Sequence, residues 1–255
     1  MYLPHLKPVL GLVALTPLLA GCASGEVSGL GFEEGISSVN DQALSLWQGA
    51  WIAGAVVGII TLILILWPVF FHRKKDENFP KQTQYNIPVE IAYTLIPFLI
   101  VAVLFYFTVQ RESKIVKISP DSQVSHFIDV VGFQWSWQFK YRDAGDYKSA
   151  TVTGTPAQPP TLYLPQGQKV RFTLDANDVV HGFWIPAFMI QMQNLPGVTN
   201  QLEFTANKLE TYPVRCNILC GRNHAQMLFN VKVVTLEEYQ SYLEGLVAEE
   251  KAATA

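Results

Sequence analysis

The chain has 255 residues, of which 18 are basic and 21 acidic, giving a formal net charge of −3. A balance this close to neutral argues neither for nor against nucleic acid. Charged residues make up only 15% of the chain and the mean hydropathy is +0.19, values that are unusual for a wholly soluble protein.

Lys7 precedes an apolar run from Pro8 to Leu19, which is too short to cross a bilayer. The run ends in Leu19-Ala20-Gly21-Cys22, which looks like a bacterial lipoprotein processing box. On that reading residues 1–21 are a signal peptide that is removed, Cys22 becomes the lipidated N-terminus, and residues 22–41 form an exported segment. The plainer alternative is an ordinary signal peptide or an unused upstream segment. One lipid anchors only marginally, so firm attachment falls to the segments that follow.

No charged residue occurs from Gln42 through Phe71. That length exceeds the roughly 20 apolar residues that carry a helix across a bilayer and predicts a first membrane helix over 42–71. Trp47 and Trp51 at one end and Trp67, Phe70 and Phe71 at the other suit the two interfaces. His72-Arg73-Lys74-Lys75 follows at once; a basic cluster marks the cytoplasmic side, so residues 72–87 are predicted to be a cytoplasmic loop. A second uncharged run, Ile91 to Val109 with Pro97 inside it, predicts a second membrane helix over 88–110. The pair forms a hairpin with both ends outside, in agreement with an exported Cys22. Glu90 stands at the cytoplasmic start of the second helix. An acid there can simply lie among headgroups near a helix N-terminus, or it can load protons into a pathway.

Residues 111–124 read as a linker to a polar, strand-rich head over 125–234. From Val131 to Tyr141 every odd position is apolar or aromatic, which predicts one half-buried strand with Trp135 and Trp137 on the same face. Residues 143–160 read as a loop. Further short strands are predicted at Leu162 to Leu164, Lys169 to Leu174, Gln201 to Thr205 and Leu228 to Val234. Short strands joined by Gly/Pro turns indicate a β-sandwich or barrel. Thr235-Leu236-Glu237-Glu238 resembles a capping box, and it opens a C-terminal helix and tail over 235–255. The head carries nine basic and seven acidic residues between Ser125 and Val234, so it is not an acidic surface overall.

The densest chemistry lies at the end of the head. Cys216, Cys220, His224 and Met227 follow the spacing Cys-x3-Cys-x3-His-x2-Met, and a second imidazole, His181, stands upstream in Asp178-Val179-Val180-His181-Gly182-Phe183-Trp184. Thiolate, thioether and imidazole select copper or zinc over magnesium or calcium. Two cysteines this close can bridge two ions. The alternatives are a closed Cys2His2 zinc site, which leaves Met227 unused, and a Cys216–Cys220 disulfide, which leaves His224 and Met227 unexplained. His126 lies outside these motifs and reads as an ordinary surface or sheet histidine.

Both metal-ligand segments resemble subunit II of the haem-copper oxidases, in particular the cytochrome c oxidase branch with its dinuclear CuA centre. The likeness runs from about residue 40 to about residue 235. It implies a cupredoxin-like Greek-key barrel carrying two copper ions. Cys216 and Cys220 would bridge them, flanked by His181 and His224, with Met227 and the backbone carbonyl of Ile218 as weak ligands. It implies that electrons arrive from a c-type cytochrome at Trp135, within Gly132-Phe133-Gln134-Trp135-Ser136-Trp137, and pass to haem held only in subunit I. There oxygen reduction is coupled to proton pumping; this chain is not catalytic alone. Glu90 matches the family's proton-loading glutamate. The family's usual glutamate between the cysteines is Ile218 here, and the polar residue expected before Leu195-Pro196-Gly197 is Gln193, so the usual interfacial magnesium site is not expected in its usual form. The expected partners are subunit I, the other oxidase subunits, membrane lipid and a donor that is tethered or held in a supercomplex. No nucleic acid is expected. The expected location is the bacterial plasma membrane with the copper domain on the outer face. The related alternative is a quinol oxidase subunit II, which lacks copper and its ligands.

Overall fold

The computed structural model describes residues 31–74, 76, 79, 82–142 and 150–254. Cys22 and the proposed processing site lie outside the described residues. The described chain divides into two compact units, a helical pair over 45–113 and a folded head built from the segments on either side.

The helical unit holds most of α1 (Asn40–Phe71) and α2 (Ile87–Ile115). Each is long and apolar enough to cross a membrane. From Ile52 to Phe71 and from Ile87 to Val109 most of their Ile, Leu, Val and Phe side chains stand exposed. An aqueous setting would penalise that much bare apolar surface, whereas lipid accepts it. Every backbone group in such a segment must be satisfied internally, and the helical ladder does so. The hydroxyls of Thr61 and Thr94 also bond back to the carbonyls four residues earlier. This is a membrane protein with two candidate spans.

The head is a sandwich of two five-stranded sheets. The strands are β1 (His126–Phe133), β2 (Ser136–Tyr141), β3 (Thr151–Thr153), β4 (Thr161–Pro165), β5 (Lys169–Ala176), β6 (His181–Ile185), β7 (Ile190–Asn194), β8 (Asn200–Thr205), β9 (Thr211–Cys216) and β10 (Leu228–Val234). One sheet runs β3-β2-β1-β5-β8 and the other β4-β10-β9-β6-β7. The β1–β5 and β4–β10 pairs are parallel, and the other ladders are antiparallel. Neighbours distant in sequence therefore share ladders, which fixes the faces that meet inside.

The core is largely aromatic. Trp137, Phe139 and Tyr141 alternate inward from β2 and meet Phe172, Phe183, Phe204 and Phe229 from both sheets. Phe183 stacks on Phe229 with centroids 5.4 Å apart, and Phe172 on Phe204 at 4.9 Å. Each fully buried ring is worth about 2–3 kcal/mol of transfer free energy. The C-terminal helix α3 (Leu236–Thr254) closes one end, burying Tyr239 and Leu243 and stacking Tyr242 on Tyr163. Its start is capped by the Thr235 hydroxyl, which accepts from the Glu238 N–H. The Glu238 side chain pairs instead with Lys232.

One expectation is corrected. The alternating run from Val131 to Tyr141 is not one strand but a hairpin: β1 ends at Phe133, β2 begins at Ser136, and Phe133 faces Ser136 across the ladder. Gln134 and Trp135 form the turn. A two-residue turn flips the parity of the inward face: Ile128 and Val130 point inward from β1, and Trp137, Phe139 and Tyr141 from β2. Val131 and Phe133 are apolar on the opposite face of β1, so the sequence shows unbroken alternation and hides the reversal. As a result Trp137 is fully buried while Trp135 is only half-buried at the tip.

A buried ion pair braces the sheet edge. Arg171 bonds Glu203 across the β5–β8 ladder at 3.1 Å and also reaches Asp121 and the Ser119 carbonyl. Burial raises the Glu203 carboxyl, but hydrogen bonds from Ser119 and Arg171 and the charge of Lys169 outweigh it, so the net shift is below the ordinary value. A carboxyl depressed in the folded state stabilises above its unfolded pKa and loses that contribution as pH falls through the folded one. Glu203→Gln is expected to cost about 3 kcal/mol at neutral pH and to flatten the acid limb of stability. Urea unfolding of the purified chain across that pH range measures both.

Candidate metal centre

Three strands and one loop build the site. β6 and β9 pair with Phe183 opposite Cys216, so the end of β9 comes to rest beside the start of β6. His181 lies two residues before Phe183 and shares its inward face. Beyond Cys216 the chain leaves the sheet and turns through Gly221, whose φ is +121°. It then passes a short 3-10 turn at His224–Gln226 and returns into β10. The Cys216 N–H donates to the Met227 carbonyl at 3.0 Å and shuts the loop at its base.

This folding gathers the soft donors. Sγ of Cys216 and Cys220 lie 3.9 Å apart, and both cysteines are free thiols. His181 Nδ1 lies 3.1 Å from Met227 Sδ, Cys220 Sγ is 3.7 Å from the same sulfur, and His224 Nδ1 is 3.5 Å from Cys220 Sγ. The Ile218 carbonyl sits 3.2 Å from Cys216 Sγ. One donor atom each from His181, Cys216 and Cys220 lies within 4.8 Å of the others, and all three residues are buried. His224 is not in that common triangle; it approaches from the Cys220 side and is half-buried. The zinc tetrahedron needs both imidazoles around one point, whereas His224 lies outside the triangle that His181 shares with the two cysteines.

The thiols are unequal. Burial pushes the Cys216 thiol up, but hydrogen bonds from His181 and the Gly182 N–H outweigh it and bring it down to about 7. Cys220 is pushed up to about 12, by burial and then by the charge on Cys216. Cys216 therefore ionises first.

Further residues hold the ligands in place. Asp178 accepts from His181 Nε2 at 2.8 Å and also takes the backbone N–H groups of Gln134 and Val179. Burial raises the Asp178 carboxyl, yet these hydrogen bonds bring it below its ordinary value. His181 is moved up overall, with burial opposed by Cys216 and Asp178. A carboxylate on the outer nitrogen fixes the tautomer and leaves Nδ1 free to ligate. Asn194, paired with His181 in the β6–β7 ladder, donates to the carbonyls of Val130 and Asp175 and ties the two sheets together beside the site. Gly182 permits a close approach: a Cβ there would stand 1.9 Å from Asn217 Oδ1.

Trp135 touches the centre directly. Its indole N–H donates to the Cys220 carbonyl at 3.2 Å, and the Gln134 amide donates to the same oxygen at 2.8 Å. Glu90 is not brought here. It lies in the helical unit, where its carboxylate accepts from the Asn86 N–H at 2.9 Å and caps the start of α2. Ile218 and Gln193 line a cavity of about 160 Å³ with Gln191, Met192 and Asn217. None of the five is a carboxylate, and hard cations such as magnesium favour carboxylate oxygens. Asp178, Gln134 and Asn194 were not singled out by motif. Only Asp178 carried a signal, its position three residues before a ligating histidine.

A β-sandwich head with a buried soft-donor set that could hold a metal ion, in one chain with two apolar helices, defines a membrane protein with a candidate metal site. The model of the family described as cytochrome c oxidase subunit II, periplasmic domain, matches residues 126–234. A probable cytochrome c oxidase subunit 2 from Streptomyces avermitilis is 38% identical, over 92% of this chain and 84% of that protein. A cytochrome c oxidase subunit 2 from Mycobacterium bovis is 33% identical, over 94% of this chain and 80% of that one. The crystal structure of the periplasmic domain of subunit II of cytochrome oxidase (CoxB) of Bradyrhizobium japonicum is 26% identical. It covers 52% of this chain and 99% of that one, with a TM-score of 0.46.

The chain belongs to the cytochrome c oxidase subunit II family and is thus part of an oxidoreductase complex that includes subunit I. The family and the His/Cys/Cys cluster fit a CuA copper centre. Asp178→Asn, which keeps the shape but weakens the acceptor for His181, is expected to lower metal affinity by about 10- to 100-fold. Competition of the purified protein against a copper chelator reads that loss.

Proposed function

We propose that this chain takes electrons from a c-type cytochrome and hands them to haem in subunit I by way of two copper ions held in the head. Cys216, Cys220, His181 and His224 would hold the copper, with Met227 and the Ile218 carbonyl as weak ligands. Bound there, the copper pair supplies one-electron storage spread over a compact covalent core. The residues supply the rest. The sandwich excludes water from His181, Cys216 and Met227, and Asp178 holds the His181 ring. The observation that carries this reading is a pair of free buried thiols 3.9 Å apart, with His181 in the same cluster and His224 3.5 Å from Cys220 Sγ. A quinol oxidase subunit would lack these donors, and all five side chains are present.

Trp135 is the point at which electrons arrive. It is half-buried at a hairpin tip and bonded to the Cys220 carbonyl, so one residue joins the surface to a bridging cysteine. The head faces the outer side of the membrane, as the basic cluster after α1 indicates. Its small positive balance suits a donor that is tethered or held in a supercomplex, because electrostatic steering is then not needed. Glu90 serves as the proton-loading carboxylate while capping α2. No magnesium is assigned to the cavity beside Ile218.

Electron paramagnetic resonance of the purified oxidase is the test. A hyperfine pattern divided over two copper nuclei is expected, and Met227→Leu should raise the reduction potential with both coppers retained. Trp135→Phe should leave that spectrum unchanged and slow electron arrival in stopped-flow mixing with reduced cytochrome c. A single zinc per chain, or a Cys216–Cys220 disulfide in the loaded protein, overturns the reading.

A further inference from the structure

A second site lies in the head, apart from the metal centre. A cavity of about 340 Å³ is lined by Lys114, Lys117 and Lys169, together with Ser38, Ser119 and Glu203. The three lysines come from separate places: the end of α2, the linker after it, and the first residue of β5. Glu203 does not neutralise them, because Arg171 holds it at 3.1 Å and the Ser119 N–H and hydroxyl bond its other oxygen. Lys169 reaches the Ser119 hydroxyl at 2.9 Å and stands 3.8 Å from Glu203. Lys114 and Lys117 have no carboxylate partner among the described residues and are exposed. With Arg171 and Asp121 included, four cations face two carboxylates, leaving a net charge of +2 around a polar hollow.

Depth along the chain indicates what fills it. The uncharged run of α2 ends at Val109, and Lys114 follows five residues later. At 1.5 Å per residue that is about 7.5 Å of helix, the thickness of the headgroup layer outside the hydrocarbon core. Ser38 lies just ahead of α1, so both approaches to the spans contribute to the cavity.

We propose that this cavity seats the phosphodiester headgroup of an anionic phospholipid of the outer leaflet, with Lys114 and Lys117 closing on the phosphate and the Ser38 and Ser119 hydroxyls beside it. The proposal rests on the reading that the head stands on the outer face.

The test uses the delipidated, detergent-purified oxidase and native mass spectrometry. The probes are short-chain phosphatidylglycerol, short-chain phosphatidylcholine and inorganic phosphate. The wild type is expected to bind one phosphatidylglycerol that Lys114→Gln/Lys117→Gln binds about thirtyfold more weakly, at roughly fivefold per lysine. Lys114→Arg/Lys117→Arg should retain it. The Lys114 and Lys117 side chains make no hydrogen bond or ion pair among the described residues, and the copper signal of each preparation confirms an intact head. Equal binding by wild type and the glutamine variant overturns the site. So does equal binding of phosphatidylcholine. Inorganic phosphate binding as tightly as the lipid overturns the lipid assignment in favour of a small-anion site. Orientation is read separately, by labelling Lys117→Cys in intact cells with an impermeant maleimide. Labelling only in inverted vesicles sinks the outer-face reading, whatever the lipid count.

Discussion

Phe183 lies opposite Cys216 in the β6–β9 ladder, and the metal centre depends on that register. A slip of one residue would turn His181 to the other face of its strand and leave the sulfur pair with one imidazole. The register is held by the aromatic core, where Phe183 stacks on Phe229 from β10. The same β10 anchors the far end of the ligand loop, because Cys216 and Met227 share a backbone hydrogen bond at its base. Packing and coordination are therefore set by the same three strands.

The donors were legible because their chemistry is local: four of five fall within twelve residues, and soft ligands at that spacing have few other uses. The two spans were legible because lipid demands long uncharged runs, which soluble folds seldom contain. The hairpin at Gln134 and Trp135 was not, since alternation continues across its turn. β9 does alternate, with Tyr212, Val214 and Cys216 inward, but Pro213 obscures it, as proline is rare inside sheets. The proline is tolerated because β6 pairs only with the last two residues of β9. The partners of the ligands were largely invisible. Gln134 reaches Cys220 across 86 positions and Asn194 reaches Val130 across 64, and no sequence window links such pairs.

Charge is distributed unevenly in its use. Asp178 and Glu203 are both carboxylates held below their ordinary pKa by hydrogen bonds that overcome burial, yet one orients a ligand and the other braces a sheet edge. The lysines near Glu203 are left over from that brace, and two of them have no internal task. Surplus positive charge beside the end of a membrane helix is costly to no fold and attractive to anionic headgroups.

The free thiols set a clock on maturation. Cys216 and Cys220 stand near enough for a modest rotation to join them, and Cys216 ionises readily. On the proposed outer-face placement they would meet an oxidising compartment, where insertion of metal would compete with bond formation between the sulfurs. On that placement, a chain that folds ahead of its metal would have to be kept reduced until the metal arrives.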